Sequence, residues 1–298
     1  MSKLRLGFGL PLVIAILSYA PDAAAVQVTR DTSPPPPPAV APKPATAAKP
    51  APAPHLPALT AAQIADKNAA ARGGLKAWRA VKTLTLSGKL DAGGKKPTQL
   101  PFTLQAKRPH KERVAVEFAG QTALQVFDGA QGWTYRPYLN RTAPEPFSPE
   151  ELRKSTTADE LDGPLIDYAA KGSKIELEGT EMVEGSANYR LKVTTKAGVE
   201  RHVWVDGKTF FESKIEGNPH RFDGKMHGVQ SYLRDYRSVD GLMIPFESET
   251  RLDGVRGVSH KLIVEKVDVN PTIEDSAFTK PAPLTASAKA AGHSPGAP

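Results

Sequence analysis

Two hydrophobic periods divide the chain. From Thr60 the apolar residues recur every three to four positions, and Thr60 with Gln63 forms the Thr-x-x-Gln pattern of a capping box, which predicts the start of a helix. Gly73-Gly74 predicts a break in that helix. From Val81 the period changes to two, which is typical of strands with one buried and one solvated face.

The alternating segments follow one another at hairpin-length connections, as in "DYRSVDGLMIPFESE", where Asp240-Gly241 is typical of a tight turn. A second helical region is predicted over residues 148–172, with Ser148 as its cap and Pro149 at its first position. We therefore predict a mainly β protein with helices, in which roughly 11–12 strands form one large curved antiparallel sheet. Pro245 is expected at an edge or a bend.

Strand twist accumulates across so many strands, so the sheet is expected to curl and its concave apolar face to form a cavity partly closed by helices. The predicted lining residues are Leu84, Leu86, Val114, Val116, Phe118, Val126, Trp133, Tyr135, Leu177, Leu191 and Val193. The predicted lid residues are Trp78, Leu161, Leu165 and Ile166. The alternative is that the helices fill the concavity and make it ordinary core.

The composition changes along the chain and predicts four regions. Residues 1–25 have two basic residues, an apolar run and an Ala-rich end, which predicts a cleaved secretory signal, with an uncleaved anchor as the alternative. Residues 26–58 form a Pro-rich disordered linker, either a spacer, a ligand for a proline-recognising domain or a solvated tether without a partner. Residues 59–283 are expected to fold as one domain, and residues 284–298 to form a disordered tail.

Composition also excludes several classes of protein. The chain has no cysteine, so it has no disulfide and no lipid-modified N-terminal cysteine. Its formal net charge of +7 comes from dispersed basic residues, so no nucleic-acid-binding stripe is expected.

Motifs for chemistry are missing. The sequence has no nucleophile elbow, zinc-protease motif or phosphate loop, so we predict no catalytic residue, no metal, no cofactor and no enzyme activity. His220 and His227 could form a metal-ligand pair, but we interpret them as solvated loop residues. Glu176 and Glu178 alternate onto a solvated strand face rather than forming an acid–base pair.

The segments "ARGGLKAWRAVKTLTLSGKL", "DYRSVDGLMIPFESE" and "VDVNPTIEDSAFTKP" resemble the outer-membrane lipoprotein-sorting proteins, the LolA/LolB-like periplasmic carriers. The resemblance covers residues 59–283 in layout. It implies an unclosed antiparallel β-barrel wrapped over helices, with a hydrophobic cavity that takes up acyl chains and without metal, nucleotide or enzymatic chemistry. The family's lid-closing arginine does not align with one arginine here, so no gating residue is assigned, and the Pro-rich linker and the tail depart from the family pattern.

The leading hypothesis is a periplasmic carrier for lipidated proteins or other acyl-chain ligands in a Gram-negative envelope. Its expected partners are the acyl chains of lipoproteins or lipids, an envelope donor or acceptor protein and, transiently, a membrane surface, but no nucleic acid. The alternative is an envelope sensor or scaffold of the same fold that acts through protein–protein contacts. An envelope hydrolase is the third hypothesis and would need a Ser/His/Asp cluster or paired carboxylates inside the cavity.

Overall fold

The computed structural model describes residues 56–91, 98–141, 143–156, 161–255 and 259–282. The predicted signal, most of the linker and the tail lie outside these residues. Helix α1 (Ala61–Ala71) starts at the predicted capping box, in which Thr60 and Gln63 bond each other's backbone N–H groups at 2.9 and 3.2 Å. Gly73-Gly74 separates it from helix α2 (Leu75–Ala80), as the sequence predicts.

Thirteen strands form one antiparallel sheet in the described part of the chain. The strands are β1 (Thr83–Asp91), β2 (Gln99–Lys107), β3 (Lys111–Phe118), β4 (Gln121–Phe127), β5 (Gly132–Tyr135), β6 (Glu145–Pro146), β7 (Lys174–Val183), β8 (Ser186–Thr194), β9 (Glu200–Asp206), β10 (Glu212–Phe222), β11 (Lys225–Val239), β12 (Leu242–Leu252) and β13 (Ser259–Val269). Their order is β6-β5-β4-β3-β2-β1-β13-β12-β11-β10-β9-β8-β7, so β6 and β7 are the edges of an unclosed sheet.

The predicted fold class is confirmed, with slightly more strands than expected. β6 is only two residues long, too short to show a period of two. The Asp240-Gly241 turn is also confirmed, because both residues have the positive φ angles, 50° and 80°, that a tight hairpin requires.

Pro245 lies on an interior strand rather than at an edge. It pairs with Tyr236 of β11, next to Asp235, whose φ is 52°. The pairing of β12 with β13 starts only at Glu247. Because the ladder toward β13 has not begun at Pro245, the missing N–H group breaks no bond on that side.

The second helical region is shorter than predicted. Helix α3 (Pro149–Thr156) has the expected cap, since the backbone N–H of Ser148 donates to the Glu151 carboxylate at 2.7 Å and the reverse bond measures 3.3 Å. Residues 161–172 form turns instead of a helix. Gly163 and Asp167 there have φ angles of 86° and 55°, which a right-handed helix does not allow.

The concave side of the sheet carries two apolar clusters. Helix α1 packs on β7, β8 and β9, where Ile64 meets Leu191 and Val203, all three inaccessible to solvent; we call this region the α1-packed half. Helix α2 lies over β1, β2, β12 and β13, where Trp78 joins a larger cluster; we call this region the cavity half. The alternation of apolar and polar residues predicts the apolar face of the strands in both halves, but different helices cover the two halves.

Candidate ligand-binding cavity

A cavity lies in the cavity half, between the sheet and a cover made of α2, the end of α3 and the 161–172 turns. Its volume is about 110 Å³, and it opens to solvent on one side. Most of its lining is apolar and comes from strands far apart in sequence. The apolar lining residues are Trp78, Leu84, Leu86, Phe102, Leu104, Ala106, Phe127, Leu161, Pro164, Ile215, Leu233, Ile244, Pro245, Leu262 and Val264.

Four of the predicted residues lie at this cavity. Leu84 and Leu86 line it from β1, and Trp78 and Leu161, two of the predicted lid residues, line it from the cover. They come together because Leu86 pairs with Leu104 of β2 on one side and with Val267 of β13 on the other, which turns the same face of three strands inward.

Val114, Val116 and Phe118 lie on the predicted concave face but behind the cavity. Val114 and Val116 are fully buried in the cluster that contains Trp78, and Phe118 packs at its margin, edge-on to Tyr138 at a ring-centroid distance of 5.2 Å. Their phase was predicted correctly, and they form part of the cavity wall's support rather than its lining.

Val126, Trp133 and Tyr135 lie on the other face of the sheet. Val126 pairs with Trp133, and both pack against Ile273 and Phe278 of the C-terminal segment in a separate cluster. Tyr135, two residues after Trp133, shares that face. The predicted phase is wrong here because residues 273–278 cover the outer face and make it apolar too, so alternation alone does not show which side faces the cavity.

The remaining predicted residues lie in or beside the α1-packed half. Leu191 and Val193 are buried there with Leu165, and Leu177 pairs with Leu191 on edge strand β7, where it is 38% exposed. None of them lines the cavity, because Ile64 of α1 packs in the same cluster as Leu191 and Val193, and Leu177 lies at the exposed edge. Ile166, predicted as a lid residue, is fully buried in the Trp78 cluster.

A buried ion pair stands at the inner end of the cavity. Arg72, the residue after α1, lies 3.1 Å from the Glu212 carboxylate of β10, and the two side chains are 8% and 1% exposed. The guanidinium also donates to the Asp162 backbone carbonyl at 2.9 Å and stacks on the Trp78 ring at 4.5 Å. Breaking a pair this deeply buried leaves an uncompensated charge, so Arg72 ties α1, the cover and the sheet together.

The Asp162 carboxylate fixes the cover from the other side. It accepts hydrogen bonds from Arg108 of the β2–β3 connection at 2.6 Å and from Lys171 at 2.5 Å, and its side chain is 3% exposed. Charge-assisted bonds of this kind are stronger than neutral ones and directional. The cover over the cavity is therefore held by polar contacts at Asp162 as well as by apolar packing.

Tyr236 completes this polar group. Its hydroxyl donates to the Glu212 backbone carbonyl at 2.9 Å. Burial, together with the negative charge of Glu212, raises the pKa of Tyr236 well above its usual value, so the hydroxyl stays a donor. The sequence shows none of these partners, because Arg72 and Glu212 are 140 positions apart and no spacing connects them.

One acid stands apart from that group. Glu112 lines the cavity from β3, in phase with Val114 and Val116, and its Oε1 atom is buried without a hydrogen-bond partner in the described residues. Burial raises the pKa of Glu112 to about 8. The alternation in "ERVAV" puts Glu112 in phase with Val114 and Val116, so the sequence alone could have predicted this carboxyl on the inner face.

His220 and His227 face each other across β10 and β11. The interpretation of His220 as a solvated loop residue is wrong, because it is 3% exposed and neither ring nitrogen has a partner among the described residues. Burial and the positive charge of Lys154 on α3 lower the pKa of His220 to about 4. Glu176 and Glu178, by contrast, are exposed as predicted.

The described residues contain neither a candidate membrane-spanning helix nor a candidate metal site. No helix there is long and apolar enough to cross a membrane. No group of three or more His, Asp or Glu residues in the same ranges is arranged to hold a metal ion.

Solved structures share this architecture. A LolA superfamily protein from Nitrosomonas europaea superposes with a TM-score of 0.50 at 16% identity, over 75% of this chain and 99% of that one. The chain has a LolA-like fold. The two proteins share few identical residues, so the LolA-like fold here rests on the superposition of the two structures rather than on a sequence motif.

Two further solved structures match less closely. A putative outer membrane lipoprotein-sorting protein domain from Vibrio parahaemolyticus has a TM-score of 0.48 at 14% identity, over 72% of this chain and 94% of that one. A protein of a domain family of unknown function from Desulfovibrio piger has a TM-score of 0.48 at 14% identity, over 74% and 97%. No protein-family model and no curated protein matches the chain in sequence.

Proposed function

We propose that this protein binds and carries acyl-chain ligands in the cavity, without chemistry on the ligand, as a lipoprotein-sorting type of carrier. The observation that carries the proposal is the apolar lining at Leu84, Leu86 and Phe102, next to an open mouth and under a cover held by polar contacts. A small-molecule site is concave and mostly apolar with a few convergent polar groups, and the cavity has that composition.

The size of the cavity bears on how a ligand enters. At about 110 Å³ it approaches the engineered apolar cavity of about 150 Å³ that accepts benzene, so it holds only a short part of a long chain. A longer chain requires the cover to move or the chain to extend through the mouth. Each buried methylene contributes about 0.8 kcal/mol, so about ten of them offset the loss of the Asp162 contacts and the ordering of the ligand.

We also propose export to the periplasm, on the basis of the predicted signal at residues 1–25 and the LolA-like fold. The boundaries of the folded domain, 59–283, remain a proposal as well. Two contacts occur just before it, since the Tyr189 hydroxyl donates to the Pro57 carbonyl at 2.8 Å and Leu56 packs on the cluster of the α1-packed half. The linker is therefore proposed to end where Leu56 meets the sheet.

Native mass spectrometry with lipid extraction tests this function on the mature chain, purified without detergent. We expect stoichiometric acyl-bearing adducts on the wild type. Leu86→Glu places a charge in the cavity and should abolish them, whereas Thr85→Glu, one residue away on the opposite face, should keep them. A bare mass, together with no increase in melting temperature on adding lipids, would contradict the proposal.

The second candidate is a scaffold that binds a partner through the sheet edge. The observation that favours it is the exposure of Leu177 and Met182, 38% and 52%, on edge strand β7. An exposed edge offers unpaired backbone groups to another chain. This function predicts that Leu177→Lys with Met182→Lys abolishes activity while the lipid content is unchanged.

A further inference from the structure

Glu112 is an acid in an apolar position. It lies on β3 between Ala106 of β2 and Phe127 of β4, and all three residues line the cavity. The next inward positions on its own strand are Val114 and Val116, both fully buried. A carboxyl group at this point interrupts an otherwise hydrophobic wall.

Glu112 is half-buried, and its Oε1 atom is buried with no hydrogen-bond partner in the part of the chain that the structure describes. Nearby cations are bound elsewhere. Lys107, Arg108 and Lys111 also line the cavity, but their charged ends are paired with other acids. Both lysines contact Asp275, at 2.8 and 3.1 Å, and Arg108 contacts Asp162 at 2.6 Å. Buried polar groups in native proteins are nearly always bonded, so an unbonded one inside a cavity suggests that a ligand supplies the partner.

The protonation state of Glu112 limits what that partner can be. Burial raises its pKa to about 8, so at neutral pH the group is a carboxylic acid with one O–H donor. A ligand group that bonds the protonated Glu112 carboxyl must therefore be a hydrogen-bond acceptor. A cationic ligand would instead need an ionised carboxylate in the apolar wall, which burial disfavours.

We propose that Glu112 is the polar anchor of the cavity and donates its proton in a hydrogen bond to the ester or amide carbonyl oxygen of an acyl-chain ligand. The hydrocarbon chain would lie along Leu86, Leu104 and Phe127, which line the same cavity. This inference rests on the proposed carrier function and narrows its ligand class to acyl esters and amides, as distinct from plain hydrocarbons or ethers.

Other titratable groups face the cavity and must be separated from Glu112. Arg72, Asp162 and Glu212 bond with one another, directly or through backbone, at its inner end. Helix α3 presents the Ser155 hydroxyl, and its Lys154 pairs with Glu150 at 2.7 Å. Tyr236 keeps its proton through the pH range of interest because its pKa is raised.

His110, in the β2–β3 connection, also lines the cavity and has an ionisable ring, so it requires its own control. His110→Asn removes that ring and leaves the residues of β3 unchanged. Glu117→Gln supplies a matched control for the Glu-to-Gln change, because Glu117 is exposed on the opposite face of the same strand.

The test compares two probes of equal chain length, a monoacylglycerol and the corresponding glyceryl ether, titrated into the full mature chain at pH 6.5 and pH 9.5. One neutral hydrogen bond predicts that the wild type binds the ester about 2- to 10-fold more tightly at pH 6.5. At pH 9.5 the ionised Glu112 no longer donates, so the preference should disappear.

Variants identify the residue. Glu112→Gln keeps a donor that does not titrate, so the ester preference should persist at both pH values, whereas Glu112→Leu should lose it at both. His110→Asn and Glu117→Gln should behave as the wild type. Circular dichroism on each variant confirms that it folds.

Three outcomes would overturn the proposal, and they differ in whether they also contradict the carrier function. Tight but equal binding of ester and ether by the wild type, or an ester preference retained in Glu112→Leu, would refute the anchor and leave the carrier function intact. Failure of every folded variant to bind either probe would refute the carrier function and the anchor together.

Discussion

The two halves of the concave face are built from the same alternating strands, yet one is packed and the other is hollow. In the α1-packed half, Ile64 of the helix and Leu165 of the turns fill the space above Leu191. In the cavity half, the short helix α2 contributes one buried residue, Trp78, and the rest of the cover is held by ion pairs at Asp162 as well as by apolar packing. The pattern of the strands decides which face is apolar, and the length and content of the cover decide whether that face becomes core or cavity.

Of the mutations considered, those in the Arg72–Glu212 ion pair, which connects the two halves, should lower the unfolding free energy most. Arg72→Ala leaves Glu212 buried without its cation, and we expect a loss of about 3–5 kcal/mol of unfolding free energy, measured by urea denaturation. The double variant Arg72→Met with Glu212→Gln removes both charges and should be markedly more stable than Arg72→Ala. Equal stability of the wild type and Arg72→Ala would contradict the role given to this ion pair.

Core truncation should distinguish the halves. Leu191→Ala truncates a fully buried side chain and should cost about 2–5 kcal/mol, whereas Leu86→Ala truncates a half-buried side chain and should cost less than about 1.5 kcal/mol. Both values come from the same denaturation experiment. Equal losses at the two positions would show that the cavity half is as well packed as the other.

The cavity half should lose stability as the pH rises. The folded state keeps the Glu112 proton up to about pH 8, whereas the unfolded chain releases it near pH 4.5, so the folded state binds more protons between these values. We expect the unfolding free energy to fall by about 1–3 kcal/mol over this range. Glu112→Gln should flatten the dependence and Glu117→Gln should not; a wild-type profile unchanged by Glu112→Gln would contradict the buried acid.

The strands under α3 should respond in the opposite direction. His220 is neutral in the folded state down to about pH 4, whereas the unfolded chain takes up the proton near pH 6.5, so acidification stabilises the unfolded state. We expect the melting temperature to drop by roughly 2–4 °C between pH 6.5 and pH 4 through this residue. His220→Gln, compared with the wild type first at pH 8 and then at pH 4, should remove that part of the drop; an identical drop in both proteins would argue against a buried neutral His220.

Part of this arrangement could be predicted from the sequence. The capping boxes at Thr60 and Ser148, the Asp240-Gly241 turn and the inward phase of Leu84 and Leu86 all follow from local patterns, because each depends on residues within a few positions of one another. Local sequence patterns are therefore sufficient to predict the strands, the turns and the fold class.

The content of the site could not be predicted in the same way. Arg72 contacts Glu212 only in the folded sheet. Val126 and Trp133 lie on the outer face instead of the predicted inner face, because residues 273–278 cover the outer face and make it apolar. Even the choice between core and cavity depends on α1 being long enough to fill one half. These are tertiary contacts, and no period in the sequence encodes them.

Photocrosslinking tests the central claim most directly. The mature wild-type chain is incubated with a fatty acyl ester that carries a diazirine at the end of its chain, irradiated and digested, and the labelled residues are located by mass spectrometry. The account predicts labels in the cavity half, at positions 84–86 and 102–104 of β1 and β2. Labels concentrated at 189–193 and 203–205 in the α1-packed half, or on the outer face near Val126, would contradict it.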